Sequence, residues 1–557
     1  MRNLLALGLL LIPSAAVGAG APSKLDPAVA GRIDEIFSDW IAPDEPGGKV
    51  LILRQGEEVY RGSWGLADVE LGVPAERGEI YPIGSLTKQF TATAALLLVD
   101  EGKLDLDATL VSLVPGFSIT GQSITVRDLL GHTSGLANLS NIPEWSASWG
   151  KPATPTELID LFRRKPLANA PGVRFEYNNS GYVLAGRIIE LRTGESWADF
   201  LAERIFRPLG MTSTAVNDTS EIVPGRVPGY SRTREGWQNI RPLLHPTQLY
   251  AAGALRSSLD DLARFHRALA GGKLLSPDSL AAMSTPGTLR DGRHTGYGAG
   301  WAVSKLRGHT QLEHGGASYG YYSAVVWLPE SNVWGAVVTN RYGFADRARE
   351  LLAKAVQLAA GWPENEKPAQ LSPEALARFA GDYLQEDDRK RTMRVTVEGD
   401  HLVVARGDKA PAIAFPRSSE QFFGPGEGEE LDVERDADGG VLRLVLRASY
   451  VGETYWRKSA VELAPPQPPA EAPEIDPAVY VGRYRLGEDF LADVRVEGGA
   501  LVVDVLGMTG VPLVATGEHT FSFPTGFGSV VFQVRDGRAV GLEFTQGGQV
   551  TQGERIE

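Results

Sequence analysis

The sequence predicts an α+β fold, with one large domain of mixed helices and strands followed by two small antiparallel β-barrels. Residues 25–361 alternate between helical and strand patterns. Residues 374–460 and 474–557 instead show short alternating strands with Gly and Asp turns, and they share sequence motifs. A chain of 557 residues is also too long for one hydrophobic core, so several domains are expected.

Local patterns define the main elements of the large domain. Residues 49–60 (KVLILRQGEEVY) predict a strand, a glycine turn and a second strand. Residues 88–101 (KQFTATAALLLVDE) are mostly apolar and predict a buried helix. A second apolar helix is expected from Tyr182, and a closing helix is expected over residues 352–360.

Two proline-containing segments separate the predicted domains. Residues 362–373 are polar and predict a linker, and residues 464–473 (APPQPPAEAP) predict a stiffer one because proline holds the chain extended. The regions after these linkers repeat each other, and two copies are too few for a stacked array, so each should close on itself. The repeated motifs are FAGDY at 379–383 with YVGRY at 480–484, and VEGDHLVV at 397–404 with VEGGALVV at 496–503.

Composition excludes several classes of protein. The net charge of −14 argues against a nucleic-acid partner, because binding polyphosphate requires a basic face. The absence of cysteine excludes disulfides, zinc–thiolate sites and a cysteine nucleophile. The eight histidines include no H-E-x-x-H pair, so we predict no catalytic metal, and we predict no cofactor.

The first 19 residues predict a signal peptide. Arg2 precedes an apolar run at residues 4–12, and small residues close the segment at 17–19. The run is short for a membrane span, and no later segment is apolar enough to cross a bilayer. We therefore expect a bacterial periplasmic or secreted protein without a stable membrane span after signal removal. The alternative is a segment that stays attached as an anchor.

A serine and a lysine three residues apart form the first candidate catalytic motif. Ser85 and Lys88 open the apolar helix, where residues at this spacing share one face. A serine hydroxyl is a weak nucleophile near neutral pH and needs a base, which the amine can supply. The positive end of the helix dipole also favours negative charge at this position. The same spacing recurs at Ser148 and Lys151, where no helix follows, and we interpret that copy as chance.

Two further polar motifs follow along the chain. Tyr177 and Asn179 form Tyr-x-Asn on a polar loop before an apolar helix. His314 and Gly316 belong to Glu-His-Gly-Gly, which follows one strand pattern and precedes another at 321–328 (YYSAVVWL). Each motif alone fits an ordinary loop or turn. Three such motifs in this order are much harder to obtain by chance.

In this order, Ser-x-x-Lys, Tyr-x-Asn and His-x-Gly resemble the three motifs of the class C β-lactamase-like serine hydrolases, relatives of the penicillin-binding proteins. The resemblance covers residues 25–361 and implies a β-lactamase/transpeptidase-like domain, with an antiparallel sheet flanked by helices and a helical subdomain. It also implies that His132 is structural. Similar flanking segments are ITVRDLLGHTSGL from Ile124, RPLGM from Arg207, AGALRSS from Ala252 and YGAGW from Tyr297.

The resemblance implies a role for each motif residue. Ser85 would attack the substrate carbonyl and form an acyl-enzyme. Lys88 and Tyr177 would share the serine proton, and Tyr177 would pass it to the leaving group. Asn179 would hold Lys88 and the substrate amide.

The third motif would complete the oxyanion hole and departs from the usual pattern. The backbone N–H groups of Ser85 and Ala317 would form the hole, and Gly316 would let the substrate lie close to the strand. β-Lactamases and carboxypeptidases usually carry lysine where this chain has His314, which is mostly neutral at pH 7. This departure argues against recognition of a substrate carboxylate.

The layout of one catalytic domain and two barrels, with a histidine in the third motif, resembles the penicillin-recognising D-aminopeptidases. This resemblance implies hydrolysis of short peptides or amides with an N-terminal D-residue. In those enzymes a loop of the last barrel helps to bind the substrate amine. Residues 504–510 (DVLGMTG) are the matching candidate, with Asp504 as the acidic group. The alternative for the barrels is a passive role in solubility or docking.

Three other functions stay open: a carboxylesterase that acts on small esters, a D-Ala-D-Ala carboxypeptidase or β-lactamase, and a non-enzymatic penicillin- or peptidoglycan-binding sensor. A fourth pattern, G-x-S-x-G at 316–320, matches the nucleophile elbow of α/β-hydrolases around Ser318. That elbow requires a helix after the serine, and a strand pattern follows here instead. The expected partner is a small peptide, amide or ester, and the sequence does not indicate an oligomeric state.

Overall fold

The computed structural model describes residues 24–556 apart from short internal segments, and it confirms the predicted fold class. The predicted signal peptide (1–19) and second linker (464–473) lie outside the described residues. The predicted domain limits stay predictions. The internal segments left out are 77, 118–122, 147, 234–235, 241–243, 343–344, 365, 387, 407–410, 425–428, 449–451, 462–475, 487–490, 506–507, 524–528 and 547–548.

A six-stranded antiparallel sheet is the base of the large domain. Its first two strands along the chain, Gly48–Arg54 and Glu57–Trp64, confirm the predicted strand–turn–strand, and Gly56 makes the turn with φ of +82°. The other four strands come from the C-terminal part of the domain, so residues 66–301 are inserted between two parts of one sheet. In sheet order the strands are Ala302–Leu306, His309–Ser318, Tyr321–Leu328, Val333–Thr339, Gly48–Arg54 and Glu57–Trp64.

The two faces of the sheet are buried by different helices, because alternate residues of a strand point to opposite sides. Val50 belongs to the apolar layer beneath helices Pro27–Ser38 and Ala345–Ala359. Its neighbour Leu51 belongs to the larger apolar core on the other face, which includes the inserted helices. The predicted closing helix is thereby confirmed, although it begins earlier than residue 352.

The inserted residues form a helical subdomain around one central helix, Thr87–Asp100. Eleven of its fourteen residues are buried, which explains why its sequence is mostly apolar and lacks one clear polar face. The other helices of the insertion are Leu110–Leu113, Val126–Leu130, Pro143–Ser146, Pro155–Phe162, Asn179–Thr193, Trp197–Leu201, Leu259–Ala270 and Pro277–Ser284. Short strands lie at Leu66–Asp68, Val73–Pro74, Tyr81–Pro82, Ala215–Val216, Tyr230–Thr233, Gly236–Asn239, Leu255–Ser257 and Arg341–Tyr342.

The first repeat is a closed eight-stranded barrel with its own apolar core, preceded by the short helix Pro373–Ala377. Successive strands pair in antiparallel fashion, and the first pairs with the last, which leaves no free edge. The strands are Gly381–Gln385, Thr392–Glu398, His401–Arg406, Ala412–Pro416, Gln421–Phe423, Glu430–Arg435, Val441–Ala448 and Gly452–Lys458.

The second repeat is a nine-stranded antiparallel sheet around a separate apolar core. Its two edge strands, Met508–Pro512 and Val514–Ala515, are separated only by Leu513, so the sheet curls round and nearly closes. The remaining strands are Gly482–Arg485, Leu491–Glu497, Ala500–Val505, Thr520–Ser522, Ser529–Arg535, Arg538–Gln546 and Gln549–Arg555.

The internal repeat extends to matching side-chain contacts. In the first barrel Asp382 accepts hydrogen bonds from Arg394 on the adjacent strand, at 2.7 and 3.0 Å. In the second barrel Arg483 occupies the position that matches Asp382, and it donates to Asp493 at the same two distances. The two residues of this ion pair are thus exchanged between the repeats, while the pair itself is kept.

One sequence interpretation is wrong. The sequence predicts a loop at residues 504–510 that reaches out from the barrel, but the described residues of this segment belong to two paired strands, Ala500–Val505 and Met508–Pro512. The valines at 503 and 505 point into the barrel core. The alternation of buried apolar residues, rather than the glycines, therefore determines the local structure.

Candidate active site

Ser85 lies at the point where a short turn enters the central helix. Residues Gly84–Leu86 form a single 3₁₀ turn that leads directly into Thr87–Asp100. Ser85 is half-buried, and Lys88, one turn further on, is fully buried. The Lys88 Nζ atom lies 3.0 Å from Ser85 Oγ, as the three-residue spacing predicts.

Besides Ser85 Oγ, two acceptor oxygens hold the Lys88 amine. Its Nζ donates to Asn179 Oδ1 at 2.8 Å and to the Ala252 carbonyl at 2.8 Å. The amine also lies 4.9 Å from the centre of the Tyr177 ring. Burial lowers the pKa of Lys88 well below its ordinary value of 10.5, because the charged form loses its hydration.

The Tyr-x-Asn motif reaches Ser85 and Lys88 from the start of helix Asn179–Thr193. Asn178 caps this helix by accepting a hydrogen bond from the Gly181 N–H. Tyr177, just before the cap, is partly exposed. Burial of its phenol raises the pKa of Tyr177, and a hydrogen bond with Ser85 offsets part of that rise.

Two residues that sequence reasoning missed hold this motif in place. Asn138 accepts a hydrogen bond from the Asn179 N–H at 3.0 Å and donates to the Tyr177 carbonyl at 3.3 Å. Ser140 Oγ accepts from Asn179 Nδ2 at 2.5 Å, which fixes the amide so that its oxygen faces Lys88. Their only sequence signal is the pair of small polar residues within ANLSN, which is also an ordinary loop composition.

The third motif lies within strand His309–Ser318, at the edge that meets the Ser85 turn. A Cβ atom on Gly316 would lie 2.1 Å from the Ile83 carbonyl oxygen, and one on Gly84 would lie 2.5 Å from the Ala317 carbonyl oxygen. Both glycines are therefore required for the strand and the turn to approach so closely. Ala317 itself is exposed beside Ser85.

His314 is fully buried, and both of its ring nitrogens are engaged. Nδ1 lies 2.7 Å from the Gly315 carbonyl, which can only accept, so Nδ1 carries the proton. Nε2 then accepts from the Tyr297 hydroxyl at 2.8 Å. Burial, together with the charge of Lys88, lowers the pKa of His314 to about 3, so the imidazole is neutral. Sequence reasoning did not assign Tyr297 a role.

His132 supports the site from behind. It accepts a hydrogen bond from the Asn178 N–H at 3.0 Å, and its ring centre lies 4.4 Å from that of Tyr177. Its backbone has φ of +60°, a conformation that is uncommon for a residue with a side chain. Burial lowers its pKa well below 6.5, which keeps the ring neutral.

Asp504 lies on a strand of the second barrel, not on a loop. Its Oδ1 atom accepts from the Gly510 N–H at 2.6 Å and pairs with Arg495, which neutralises its charge. The neighbouring strand, Met508–Pro512, packs against strand Tyr230–Thr233 of the large domain. The second barrel therefore contacts the large domain, while the role of Asp504 towards a substrate stays a prediction.

The two rival serines lie in other environments. Ser148 Oγ donates to the Trp145 carbonyl at 2.9 Å, in a turn that does not lead directly into a helix. Ser318 ends strand His309–Ser318, and residue 320 turns the chain into strand Tyr321–Leu328. The strand–turn–helix of a nucleophile elbow is therefore not present at Ser318.

The polar groups around Ser85 are an amine, a phenol and amides, which suit the transfer of protons to and from a hydroxyl. Across the described ranges, no group of three or more His, Asp or Glu side chains could hold a metal ion. Among the helices that the structure describes, none has both the length and the apolar character needed to cross a membrane.

The fold and the serine–lysine–tyrosine arrangement define a serine hydrolase. Residues 33–360 match the family described as Beta-lactamase, and this stretch is more than half of the 557 residues. The chain therefore belongs to the Beta-lactamase family.

The similar proteins include a D-aminopeptidase, a penicillin-binding protein and a D-amino acid amidase. The chain is 29% identical over 495 residues to a D-aminopeptidase of Brucella canis. This alignment covers 86% of this chain and 88% of that protein. It is 28% identical over 402 residues to penicillin-binding protein 4* of Bacillus subtilis, and this alignment covers 68% of this chain and 87% of that protein. The structure of the D-amino acid amidase of Ochrobactrum anthropi with L-phenylalanine amide superposes with a TM-score of 0.52 at 29% identity. The superposition covers 60% of this chain and 97% of the amidase.

Proposed function

We propose that the protein hydrolyses short peptides and amides with an N-terminal D-amino acid through an acyl-enzyme on Ser85. The observation that carries this proposal is the 3.0 Å separation between Ser85 Oγ and the buried amine of Lys88. The substrate class is supported by the relatives. The similarity to a D-aminopeptidase extends over 86% of the chain, which is more than the large domain alone.

Lys88 acts as the base in the first step. Because burial lowers the pKa of Lys88, its uncharged amine forms at lower pH than that of an exposed lysine. Its two N–H bonds point to the oxygens of Asn179 and Ala252, and its lone pair then faces Ser85 Oγ. Ser85 gives its proton to this lone pair while Oγ forms a bond to the carbonyl carbon of the substrate.

Tyr177 delivers a proton to the leaving amine. Its raised pKa keeps the phenol protonated, so it can donate to the nitrogen as the C–N bond breaks and recover a proton from Lys88. Water then attacks the acyl-enzyme and gives a proton to the same pair of residues. The ester bond to Ser85 breaks, Oγ regains its proton, and the acid product leaves.

The backbone N–H groups of Ser85 and Ala317 stabilise the oxyanion that forms in both steps. The close contact of Gly84 with Ala317 supports this role, because it brings the exposed end of the strand next to the nucleophile. Donors fixed by the backbone need no reorganisation when charge develops on the substrate oxygen.

His314 influences substrate preference because its side chain carries no positive charge. A lysine here would offer a cation to a substrate carboxylate, whereas a buried imidazole with a pKa of about 3 offers none. We therefore propose a preference for substrates that need no C-terminal carboxylate. Asp504 remains the candidate for the substrate amine, which would have to displace Arg495 from it.

A panel of three substrates tests the proposal: D-alanyl p-nitroanilide, p-nitrophenyl butyrate and nitrocefin. We expect hydrolysis of the D-alanyl substrate, with nitrocefin acylating the enzyme but turning over poorly. Ser85→Ala should lower the rate about a thousandfold or more, while Ser148→Ala and Ser318→Ala, the matched controls, retain most activity. Efficient nitrocefin hydrolysis with the other two substrates inert would overturn the substrate class. A fluorophosphonate adduct on Ser318 would overturn the nucleophile.

We also propose that residues 1–19 direct export and are removed. The support is the sequence pattern of a basic residue, a short apolar run and small residues at the end. Expression in a Gram-negative host should yield periplasmic protein whose N-terminus begins near residue 20. An intact N-terminus on cytoplasmic or membrane-bound protein would overturn this proposal.

A further inference from the structure

The first barrel contacts the large domain through a pair of glycines. Gly452 begins the last strand of the barrel, and Gly296 lies in the segment that leads to Tyr297. A Cβ atom on Gly296 would lie 2.7 Å from the Gly452 Cα, and one on Gly452 would lie 2.6 Å from the Thr295 carbonyl oxygen. The two backbones are therefore in direct contact, with no space for a side chain at either position.

Hydrogen bonds continue from this contact to Tyr297. The Glu453 N–H donates to the His294 carbonyl at 3.3 Å, across the boundary between the two domains. Thr295 Oγ1 donates to the Tyr297 carbonyl at 2.8 Å and accepts from the Tyr297 N–H at 3.2 Å. Thr295 and Tyr297 are both almost completely buried, so displacing one displaces the other.

Tyr297 connects this segment to the strand of the third motif. Its hydroxyl donates to His314 Nε2 at 2.8 Å. Two and three residues further along the same strand, Gly316 and Ala317 lie against the Ser85 turn. A displacement at residue 295 can thus reach the proposed oxyanion hole through one side-chain hydrogen bond and one strand.

We infer that Gly452 of the first barrel is a positioning residue for the active site, acting through Thr295, Tyr297 and His314. This inference rests on the proposed function of Ser85 and Ala317. It assigns the first barrel a part in catalysis that the large domain does not supply by itself. Gly452 does not touch substrate. Because it has no side chain, the barrel backbone can contact residues 294–296 directly, and this contact fixes the position of Tyr297.

The chain offers a closely matched control for this role. Gly452 and Gly439 both have φ of +81°, so alanine is strained at both positions. Only at Gly452 would the new Cβ meet another segment, because nothing lies within 4 Å of a Cβ on Gly439. A difference between the two variants therefore reports the contact with Thr295 rather than strain within the barrel.

The experiment compares Gly452→Ala with Gly439→Ala in the full chain. The readouts are the rate at which fluorophosphonate labels Ser85, kcat and KM on D-alanyl p-nitroanilide, and the thermal midpoint. We expect Gly452→Ala to slow labelling and lower kcat about 10- to 100-fold with KM little changed, while Gly439→Ala behaves like the wild type. Equal rates in the two variants, or a loss confined to KM, would overturn the inference.

A double-mutant cycle with Tyr297→Phe separates positioning from general destabilisation. If Gly452 acts through the Tyr297 hydroxyl, then Gly452→Ala should have little further effect on kcat once that hydroxyl is removed. If the effects of the two substitutions on kcat were fully additive, the inference would be overturned. Failure of the proposed function looks different, because the wild type itself would then not be labelled on Ser85.

Discussion

Gly84 lies directly against the peptide of Ala317, so close that a Cβ on residue 84 would stand 2.5 Å from the Ala317 carbonyl oxygen. This contact joins the first motif of the chain to the third, although 233 residues separate them in sequence. Gly84 also has φ of +50°, a conformation that residues with side chains rarely adopt. The glycine before the serine is thus as much a part of the site geometry as the lysine after it.

Gly84→Ala should lower kcat about 100-fold, because the new methyl group must push the Ser85 turn away from the strand that carries Ala317. Gly102→Ala is the matched control: it has φ of +67°, and a Cβ there meets nothing within 4 Å. Steady-state rates on D-alanyl p-nitroanilide, with thermal midpoints for both variants, check the prediction. Equal losses in the two variants would mean that backbone strain alone is responsible.

Lys88→Met should lower the rate about 10²- to 10⁴-fold, because it removes the base and nearly preserves the volume. It should also change how stability depends on pH. The folded protein holds Lys88 with a lowered pKa, so between that pKa and 10.5 the unfolded chain binds a proton that the folded chain lacks. Wild-type stability should therefore rise with pH in this window by up to about 1.4 kcal/mol per pH unit more than that of the variant.

Urea unfolding of both proteins at several pH values up to 10.5 measures the two slopes. The other titrating groups are shared, so they cancel in the difference. Parallel slopes would mean that Lys88 is charged in the folded protein and cannot be the resting base. The activity of the wild type should fall, for the same reason, as pH drops below the folded pKa of Lys88.

Tyr177→Phe should affect amides more than activated esters. An anilide needs a proton on its leaving nitrogen, whereas p-nitrophenolate leaves without one, so loss of the phenol should cost about 10²- to 10⁴-fold on the anilide and much less on the ester. Acylation rates on D-alanyl p-nitroanilide and p-nitrophenyl butyrate provide the comparison. Similar losses on both substrates would assign Tyr177 to positioning Ser85 instead, and unchanged rates would remove it from the mechanism.

The parts of the fold that were predictable are those with long local patterns. The sequence predicts the central helix over residues 88–101, and the structure has it over Thr87–Asp100, because most of its residues, eleven of fourteen, are buried and mostly apolar. The two barrels were predictable because the repeat is visible in the sequence, and the exchanged pairs of Asp382 with Arg394 and of Arg483 with Asp493 confirm it in three dimensions.

The contacts that complete the site leave no local pattern. Tyr297 meets His314 from a separate segment, and Asn138 meets Asn179 across 41 residues of chain. Such contacts depend on tertiary packing, which short-range periodicity does not encode. At the segment that begins at Asp504 a local pattern is present, but the glycines alone predict a loop. Burial of the alternate valines instead places the described residues in two paired strands.

Removing the second barrel, from about residue 474, should change substrate preference. Its strand Met508–Pro512 packs against Tyr230–Thr233, and the adjacent Gly229 is in backbone contact with Gly320, three residues beyond Ala317. One intervening segment, Gly229 with strand Tyr230–Thr233, therefore connects the barrel to the residues that follow the proposed oxyanion hole. If it also binds the substrate amine, truncation removes a hydrogen bond to a charged group, and kcat/KM on D-alanyl p-nitroanilide should fall about 10- to 150-fold more than on p-nitrophenyl butyrate.

The ratio of the two kcat/KM values before and after truncation is the decisive quantity, measured on protein that circular dichroism and a cooperative thermal transition show to be folded. Asp504→Asn in the full chain distinguishes the two contributions of the barrel. Asn keeps the shape of the side chain but loses the charge, so a fall in the ratio similar to that of truncation would assign amine binding to Asp504. A fall on truncation alone would assign the effect to the contact with Tyr230–Thr233, because the Arg495 pairing then keeps Asp504 away from substrate. An unchanged ratio in both proteins would leave the aminopeptidase assignment without support from the second barrel.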